Sequence, residues 1–213
     1  MKINEIFTSI QGEGLRTGLP CTFIRLAGCN LRCAGWPCDT PYAQHNADGH
    51  SYSIARLIEE VPSWPPYITW TGGEPLLQED KLLEAIRRFE KLHFAQDLFT
   101  NGSRRIPQEL LHKAIMIVMD YKLPSSGEYG QMIETNLKQL RHQDVIKGVI
   151  STQEDFDIFI TDTQDLRCNR IVTPAWGKIE PVQLVQMIQE KAADIRLGLQ
   201  IHKYIWEPNL RGV

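Results

Sequence analysis

The chain has 213 residues, of which 42% are apolar and 23% are charged, and its formal net charge is −3 at pH 7. We expect a single domain over residues 1–213, and such weak charge gives no reason to expect nucleic acid or an anionic membrane as a partner. The N-terminus has no apolar signal-peptide region and no apolar run approaches the ~20 residues that span a bilayer, so we expect a cytoplasmic protein.

Short apolar runs typical of strands alternate along the chain with amphipathic helical runs. The predicted strands are residues 21–27, 67–71, 94–100, 115–120, 146–150, 170–173 and 195–202, and the clearest helices are 79–92 and 181–193. Repeated β-then-α units favour a mostly parallel sheet, either open and doubly wound or curved like a barrel.

The unusual motifs all follow predicted strands. Cys29 follows the first strand, "GGEP" (72–75) the second, "TNGS" (100–103) the third and "DYKLPSSG" (120–127) the fourth, while "TPAW" (173–176) ends the sixth. Because ligands of α/β folds bind at the carboxyl ends of strands, these motifs are predicted to form one site.

Two motifs near the N-terminus allow two interpretations each. "IQGEG" (10–14) is typical of a hairpin turn, or it presents Gln11 and Glu13 to a ring rich in N–H and C=O groups. Alternation places Arg25 on the same face as Phe23, where a charge is costly unless it is paired. Arg25 therefore forms either an internal salt bridge or a bidentate clamp for a substrate carboxylate.

Two later motifs also stay open. "TGGEP" is a plain turn, or its glycines let a ligand approach the backbone while Glu74 pairs with a ligand ammonium group. The polar residues of the last predicted strand, which include Gln200 and His202, line a cavity or face water.

Cys29, Cys33 and Cys38 lie within ten residues of one another on a predicted loop. In a reducing compartment such a trio predicts a soft metal site rather than disulfides. A [4Fe–4S] cluster on three cysteines leaves one iron open to a substrate or cofactor. The alternative is a zinc loop completed by His45 or His50, since structural zinc takes four ligands.

Several segments together resemble one family. They are "EIFTSIQGEG", "FIRLAGCNLRC", "CDTPYA", "TGGEPLLQ", "TNGS", "DYKLPSSG", "GKIEP" and "LQIHKYIWEPNLRGV", and they run from Glu5 to the C-terminus. The chain thereby resembles the radical S-adenosylmethionine (SAM) superfamily and, more closely, the 7-carboxy-7-deazaguanine synthase family. The resemblance implies an incomplete, modified (β/α) barrel with a mostly parallel sheet. It also implies a lyase that contracts the ring of 6-carboxy-5,6,7,8-tetrahydropterin, with loss of ammonia, in 7-deazapurine or queuosine-type biosynthesis.

The resemblance also implies the cofactors and the residues that hold them. The cluster is expected on Cys29, Cys33 and Cys38, and Mg²⁺ on Thr40. The substrate contacts are expected at Ile10, Gln11, Gly12, Glu13, Arg25, Thr71 and the carboxylate of Val213. The SAM contacts are expected at Pro37, Asp39, Gly73, Glu74, Asp120, Tyr121, Lys122, Thr173, Pro174, Ala175 and Trp176. A homodimer reduced by a flavodoxin- or ferredoxin-type partner is the expected assembly.

One departure from the superfamily concerns the spacing of the cysteines. The superfamily pattern has two residues between the second and third cysteines, whereas "CAGWPC" has four. Two alternatives remain at this point. One is a radical SAM activase that makes a glycyl radical on a partner protein, and the other is a zinc-binding module without activity.

Overall fold

The computed structural model describes residues 1–35, 38–208 and 210–213, and in these ranges nine strands form one sheet. The strands are β1 (Lys2–Ile10), β2 (Pro20–Leu26), β3 (His50–Ser51), β4 (Tyr67–Gly72), β5 (Ala95–Thr100), β6 (Met116–Tyr121), β7 (Val145–Ile150), β8 (Asn169–Pro174) and β9 (Arg196–Leu197). The α-helices are α1 (Ile54–Glu60), α2 (Glu79–Lys91), α3 (Gln108–Leu111), α4 (Glu134–Gln139), α5 (Gln153–Thr163), α6 (Pro181–Glu190) and α7 (His202–Ile205). No helix in this described part is long and apolar enough to cross a membrane.

The sheet is open and mostly parallel, as predicted. Its strand order is β3-β1-β2-β4-β5-β6-β7-β8-β9. All neighbours from β2 to β9 are parallel, whereas β1 pairs antiparallel with both β2 and β3. The carboxyl ends of the parallel strands therefore meet at one edge, where the motifs were expected to gather.

Each central strand contributes side chains to two cores on opposite faces of the sheet. On β6, Ile117 and Met119 belong to the larger core, which also contains Phe89 of α2. The alternate residues Met116 and Val118 belong to a smaller core on the other face. We call that second face the inner face, and it is the face on which the polar motifs lie.

The segment after β1 folds onto the inner face. It is a hairpin connection, because Gln11 N donates to Leu19 O and Gly18 N donates to Gln11 O. Its 3-10 turn, Gly14–Arg16, places Leu15 against the smaller core and Arg16 in an ion pair with the buried Asp97, at 2.5 Å. The hairpin interpretation of "IQGEG" is thus correct, and the hairpin also delivers Gln11 and Glu13 to the inner face.

The expected strand over residues 195–202 is wrong. Only Arg196 and Leu197 pair with β8, and the chain then turns into α7. The hydrogen bonds there are local, from Lys203 N to Gln200 O and from Tyr204 N to Ile201 O. The side chains of Gln200 and Lys203 hold this turn through polar contacts that a hydrophobic pattern does not contain.

Gly72 ends β4 beside Leu26 of β2 with φ of +141°, and a Cβ there would lie 2.1 Å from Leu26 O. We expect Gly72→Ala to lower the free energy of unfolding by about 2 kcal/mol or more, since both backbone strain and a main-chain clash result. Urea denaturation of the cluster-free protein measures this. Gly130→Ala is the control because a Cβ at Gly130 meets nothing within 4 Å. Equal midpoints for the two variants would contradict the expectation.

Candidate active site

A cavity of about 240 Å³ opens on the inner face at the carboxyl ends of the strands. Its walls come from the hairpin after β1, the loop after β2, the ends of β4 to β7 and the turn before α7. The lining residues are Gln11, Glu13, Phe23, Arg25, Cys29, Leu31, Cys33, Cys38, Asp39, Thr40, Gln44, Thr69, Thr71, Gly72, Gly73, Phe99, Thr100, Asn101, Asp120, Lys122, Lys147, Val149 and Gln200. The prediction that the motifs form one site is therefore correct for most of them.

Three of the five cysteines face this cavity. Cys29, Cys33 and Cys38 are half-buried, free and part of its wall. Cys21 and Cys168 are buried elsewhere. Burial raises the pKa of the Cys29 and Cys33 thiols, so a bound cation is needed to hold them as thiolates.

The arrangement of the thiols fits a cluster better than a single zinc ion. Tetrahedral zinc brings its thiolates within about 4 Å of one another. Among the described residues, no three Cys, His, Asp or Glu side chains are grouped closely enough to hold one metal ion. His45 and His50, the proposed fourth zinc ligands, are exposed and do not line the cavity. Three free thiols that line one cavity are the donor set of a [4Fe–4S] cluster with one open iron.

Main-chain hydrogen bonds hold the cysteine loop from both sides. Cys29 N donates to Gln44 O at 2.9 Å, and Ala34 N donates to Ser126 O at 3.1 Å. Arg32 turns back on the loop, so that one guanidinium nitrogen donates to Cys29 O at 2.8 Å. The longer gap between Cys33 and Cys38 contains Trp36 and Pro37, and both lie outside the described residues.

Four charged side chains alternate in sign along one wall. Lys147 Nζ lies 2.8 Å from Glu13 Oε2 and 2.9 Å from Asp120 Oδ1, and Lys122 Nζ lies 3.0 Å from Asp120 Oδ2. Burial alone would raise the pKa of Asp120, but Lys122 and Lys147 hold it well below its usual range. Burial would lower the pKa of Lys147, but Asp120 and Glu13 raise it. Asp120, Lys122 and Lys147 are therefore charged at neutral pH.

The same chain of contacts continues to the C-terminal segment. Gln200 Nε2 donates to Glu13 Oε1 at 2.9 Å and to Asp39 Oδ2 at 3.0 Å. Lys203 Nζ donates to Asp39 Oδ1 at 2.7 Å. Burial raises the pKa of Asp39, but the Lys203 ammonium outweighs this effect and the pKa is lowered. Asp39, which follows Cys38, is thereby bound both to the turn before α7 and to α7 itself.

Arg25 forms an ion pair inside the protein and also lines the cavity. Its Nε lies 2.6 Å from Glu5 Oε1, and Tyr42 donates to the same oxygen at 3.1 Å. Its guanidinium carbon lies 5.7 Å from the centroid of the Phe7 ring. The internal salt bridge is therefore present. The guanidinium also lines the cavity, and its terminal nitrogens make no hydrogen bond to another described residue.

Comparison with known proteins identifies the family. Residues 10–146 match the family model described as a 4Fe-4S single cluster domain. The 7-carboxy-7-deazaguanine synthase of Koribacter versatilis is 36% identical over 100% of both chains. That of Clostridium acetobutylicum is 38% identical over 100% of this chain and 99% of the relative. The chain belongs to the 7-carboxy-7-deazaguanine synthase family.

The fold agrees with this family. The crystal structure of QueE from Escherichia coli matches with a TM-score of 0.74, covering 93% of this chain and 92% of that chain at 23% identity. The predicted radical SAM fold is therefore confirmed. As a 7-carboxy-7-deazaguanine synthase family member, the chain is a radical SAM lyase with a [4Fe–4S] cluster and SAM as cofactors. The activase and zinc-module alternatives find no support.

The cavity contains about half of the other residues that the family resemblance implied. Gln11, Glu13, Arg25, Thr40, Thr71, Asp39, Gly73, Asp120 and Lys122 line it. Gln11 is held by a 2.8 Å hydrogen bond to Thr69 Oγ1. Trp176 lines a second, adjoining cavity of about 460 Å³, which shares Asp39 and Gln200 with the first.

The remaining implied residues do not line either cavity. They are Ile10, Gly12, Glu74, Tyr121, Thr173, Pro174, Ala175 and Val213. Gly12 packs against α7, since a Cβ at this position would lie 2.1 Å from His202 Nδ1. Tyr121 donates to Asp162 Oδ2 at 2.7 Å, on the far side of β6 from the cavity. Pro37 cannot be placed because it lies outside the described residues.

Three residues that line the two cavities were not among the site residues that the family resemblance implied: Lys147, Gln200 and Lys203. Lys147 stands in the apolar strand "VIKGVI", which is the same signal that drew attention to Arg25. Gln200 was expected to line a cavity or face water from a strand, and it lines the cavity from a turn instead. Lys203 carries no sequence signal of its own.

Substitution of individual cysteines tests which of them bind the iron–sulfur cluster. We expect serine at Cys29, Cys33 or Cys38 to abolish the brown colour and most of the bound iron after anaerobic reconstitution, because each removes a thiolate ligand. Cys21→Ser and Cys168→Ser are controls that should keep wild-type iron content. Iron loss in either control, or full iron in any of the first three, would overturn the assignment.

Proposed function

We propose that this cavity binds 6-carboxy-5,6,7,8-tetrahydropterin beside SAM and converts it to 7-carboxy-7-deazaguanine with loss of ammonia. The observation that carries the proposal is the shared cavity. One wall holds three thiols for a cluster, and the other walls hold an arginine and a fixed row of carboxylate and amide groups. When bound, the cluster and SAM supply the radical that removes a hydrogen atom from the substrate. The chain's own residues bind and orient the substrate and keep water away from it.

Substrate recognition is assigned to two groups of residues. Arg25 directs its terminal guanidinium nitrogens to the substrate carboxylate, because Glu5 occupies only Nε. Gln11 and Glu13 face the nitrogen-rich ring, where an amide and a carboxylate match its N–H and C=O groups. Thr71 adds a hydroxyl at the end of β4. The implied contacts of Ile10, Gly12 and the Val213 carboxylate would require these residues to reach the cavity when ligands bind.

SAM is assigned to the cavity wall near the cysteines. Gly73 exposes main chain beside the cysteine loop, where a Cβ would lie 2.1 Å from Gly28 O, so only a glycine fits there. Asp39, Asp120 and Lys122 supply charged partners for the zwitterionic end of SAM. The carboxylate of Glu74 is assigned no contact with SAM, because it is 0% exposed and accepts hydrogen bonds from three protein donors.

Thr40 is the proposed protein ligand of Mg²⁺. Its hydroxyl lies 3.8 Å from Cys38 Sγ and lines the cavity. Magnesium binds oxygen ligands and keeps several waters, so one hydroxyl together with substrate oxygens is a sufficient site.

The proposed setting is a cytoplasmic homodimer that receives its electron from a flavodoxin- or ferredoxin-type protein. The radical chemistry requires an external electron, and the free thiols of the described cysteines suit a reducing compartment. Exposed apolar side chains near the second cavity, Tyr204 and Ile205, support a partner surface. Size-exclusion chromatography with light scattering measures the molar mass in solution, which should be that of two chains.

Turnover tests the proposed reaction directly. The reconstituted, reduced protein with SAM, Mg²⁺ and the carboxytetrahydropterin should form 7-carboxy-7-deazaguanine and ammonia in equal amounts, measured by chromatography and mass spectrometry. Cys33→Ser is the inactive control. SAM cleavage without this product would refute the reaction while leaving the radical SAM assignment intact.

Arg25→Ala tests the carboxylate clamp. We expect its KM for the substrate to rise at least tenfold with unchanged iron content, since a bidentate charge-assisted contact is lost. Arg56→Ala is the matched control, because Arg56 forms an exposed ion pair with Glu60 on α1. Loss of the cluster in Arg25→Ala would show instead that the Glu5–Arg25 pair is structural.

A further inference from the structure

Lys147 occupies a costly position for a cation. It lies in the middle of β7 with a side chain that is 5% exposed, between the buried Ile146 and Gly148. Its side chain lies on the inner face, with Val145 and Val149, and reaches the cavity. An ammonium group removed from water is tolerated only when opposite charges compensate it.

Two carboxylates provide that compensation, and they come from different segments. Glu13 belongs to the hairpin after β1, and Asp120 belongs to β6. Lys147 Nζ contacts one oxygen of each, at 2.8 and 2.9 Å. The second oxygen of Glu13 accepts from Gln200, and the second oxygen of Asp120 accepts from Lys122. Among the described residues, Lys147 is the one group that contacts both carboxylates.

Without this ammonium the two carboxylates would lose a shared partner and would repel each other inside the cavity. Glu13 is affected more than Asp120, because among the described residues its carboxylate accepts hydrogen bonds from the side chains of Lys147 and Gln200 alone. The direction in which the Glu13 carboxylate points into the cavity therefore depends on Lys147 of β7.

We propose that Lys147 is a positioning residue for the substrate: it fixes the carboxylate of Glu13 toward the pterin ring, whereas Asp120 has a second cationic partner in Lys122. This inference rests on the proposed function, because it assigns the pterin to the face of Glu13. Lys147 acts through Glu13 and makes no contact with reacting atoms.

The experiment compares Lys147→Met, which keeps the length of the side chain but removes its charge, with Lys147→Arg, which keeps the charge. Equilibrium dialysis measures binding of the carboxytetrahydropterin to cluster-loaded, unreduced protein in the presence of SAM. We expect Lys147→Met to raise the substrate Kd and KM at least tenfold with a smaller effect on kcat, and Lys147→Arg to stay within about threefold of wild type. Iron content and SAM affinity should stay within about twofold of wild type in both variants. Lys138→Met is the control, since Lys138 forms an exposed pair with Glu134 on α4.

A double-mutant cycle separates positioning from a general structural role. If Lys147 acts through Glu13, Lys147→Met should weaken binding much less in a Glu13→Gln background than in the wild type. Additive effects, an unchanged Kd in Lys147→Met, or equal losses in the Met and Arg variants would overturn the proposal. Failure of Lys147→Met to fold would overturn it too, because the lysine would then be needed for the fold itself. If the wild-type protein does not bind the pterin, the proposed function fails. If the wild-type protein binds it and Lys147→Met binds it equally well, only the role of Lys147 is refuted.

Discussion

The buried carboxylate of Glu74 joins the loops on which the cysteine site depends. It accepts hydrogen bonds from Leu76 N, Thr100 Oγ1 and Asn101 N, at 2.6 to 3.0 Å. Its own main-chain N donates to the carbonyl oxygen of Gly28, the residue before Cys29, at 2.7 Å. Burial raises the pKa of Glu74, and the three donors oppose this effect. Through its side chain and its main chain, this one residue connects the end of β4, the end of β5 and the start of the cysteine loop before any cofactor binds.

The pattern of apolar residues was sufficient to predict the sheet but not its edges. Six predicted strands agree with β2 and β4 to β8 within about a residue or two at each end, because each is a buried run bounded by polar turns. Strand β1 was missed since only Ile3 among its residues is buried, so it carries little apolar periodicity. The turn from Gln200 to Lys203 replaced a predicted strand because polar contacts with Glu13 and Asp39 determine its course. Contacts between distant segments of this kind leave no periodic trace in the sequence.

The site was predictable to the extent that its residues stand out from their own neighbours. Cys29, Cys33, Cys38 and Arg25 do so, and all four line the cavity. Lys147 stands out equally, as a cation in an apolar strand, and it lines the cavity as Arg25 does. Glu74 shows the opposite case. Its motif suits a ligand contact and a buried brace equally well, and only the position of Thr100 and Asn101 in the fold decides between them.

The charges of the cavity are balanced before a ligand enters. Lys122, Lys147 and Lys203 face three carboxylates along one wall, and Arg25 is already paired with Glu5. Fixed, mutually neutralised groups can orient a ligand without rearranging, which is the basis of electrostatic preorganisation. Arg25 can still donate hydrogen bonds from its terminal nitrogens, but each of these described cations already has a carboxylate partner, so together they add no net positive charge for an anionic substrate. A divalent cation entering with the substrate would supply the missing charge, and the hydroxyl of Thr40 at the cavity wall is a suitable oxygen ligand for it.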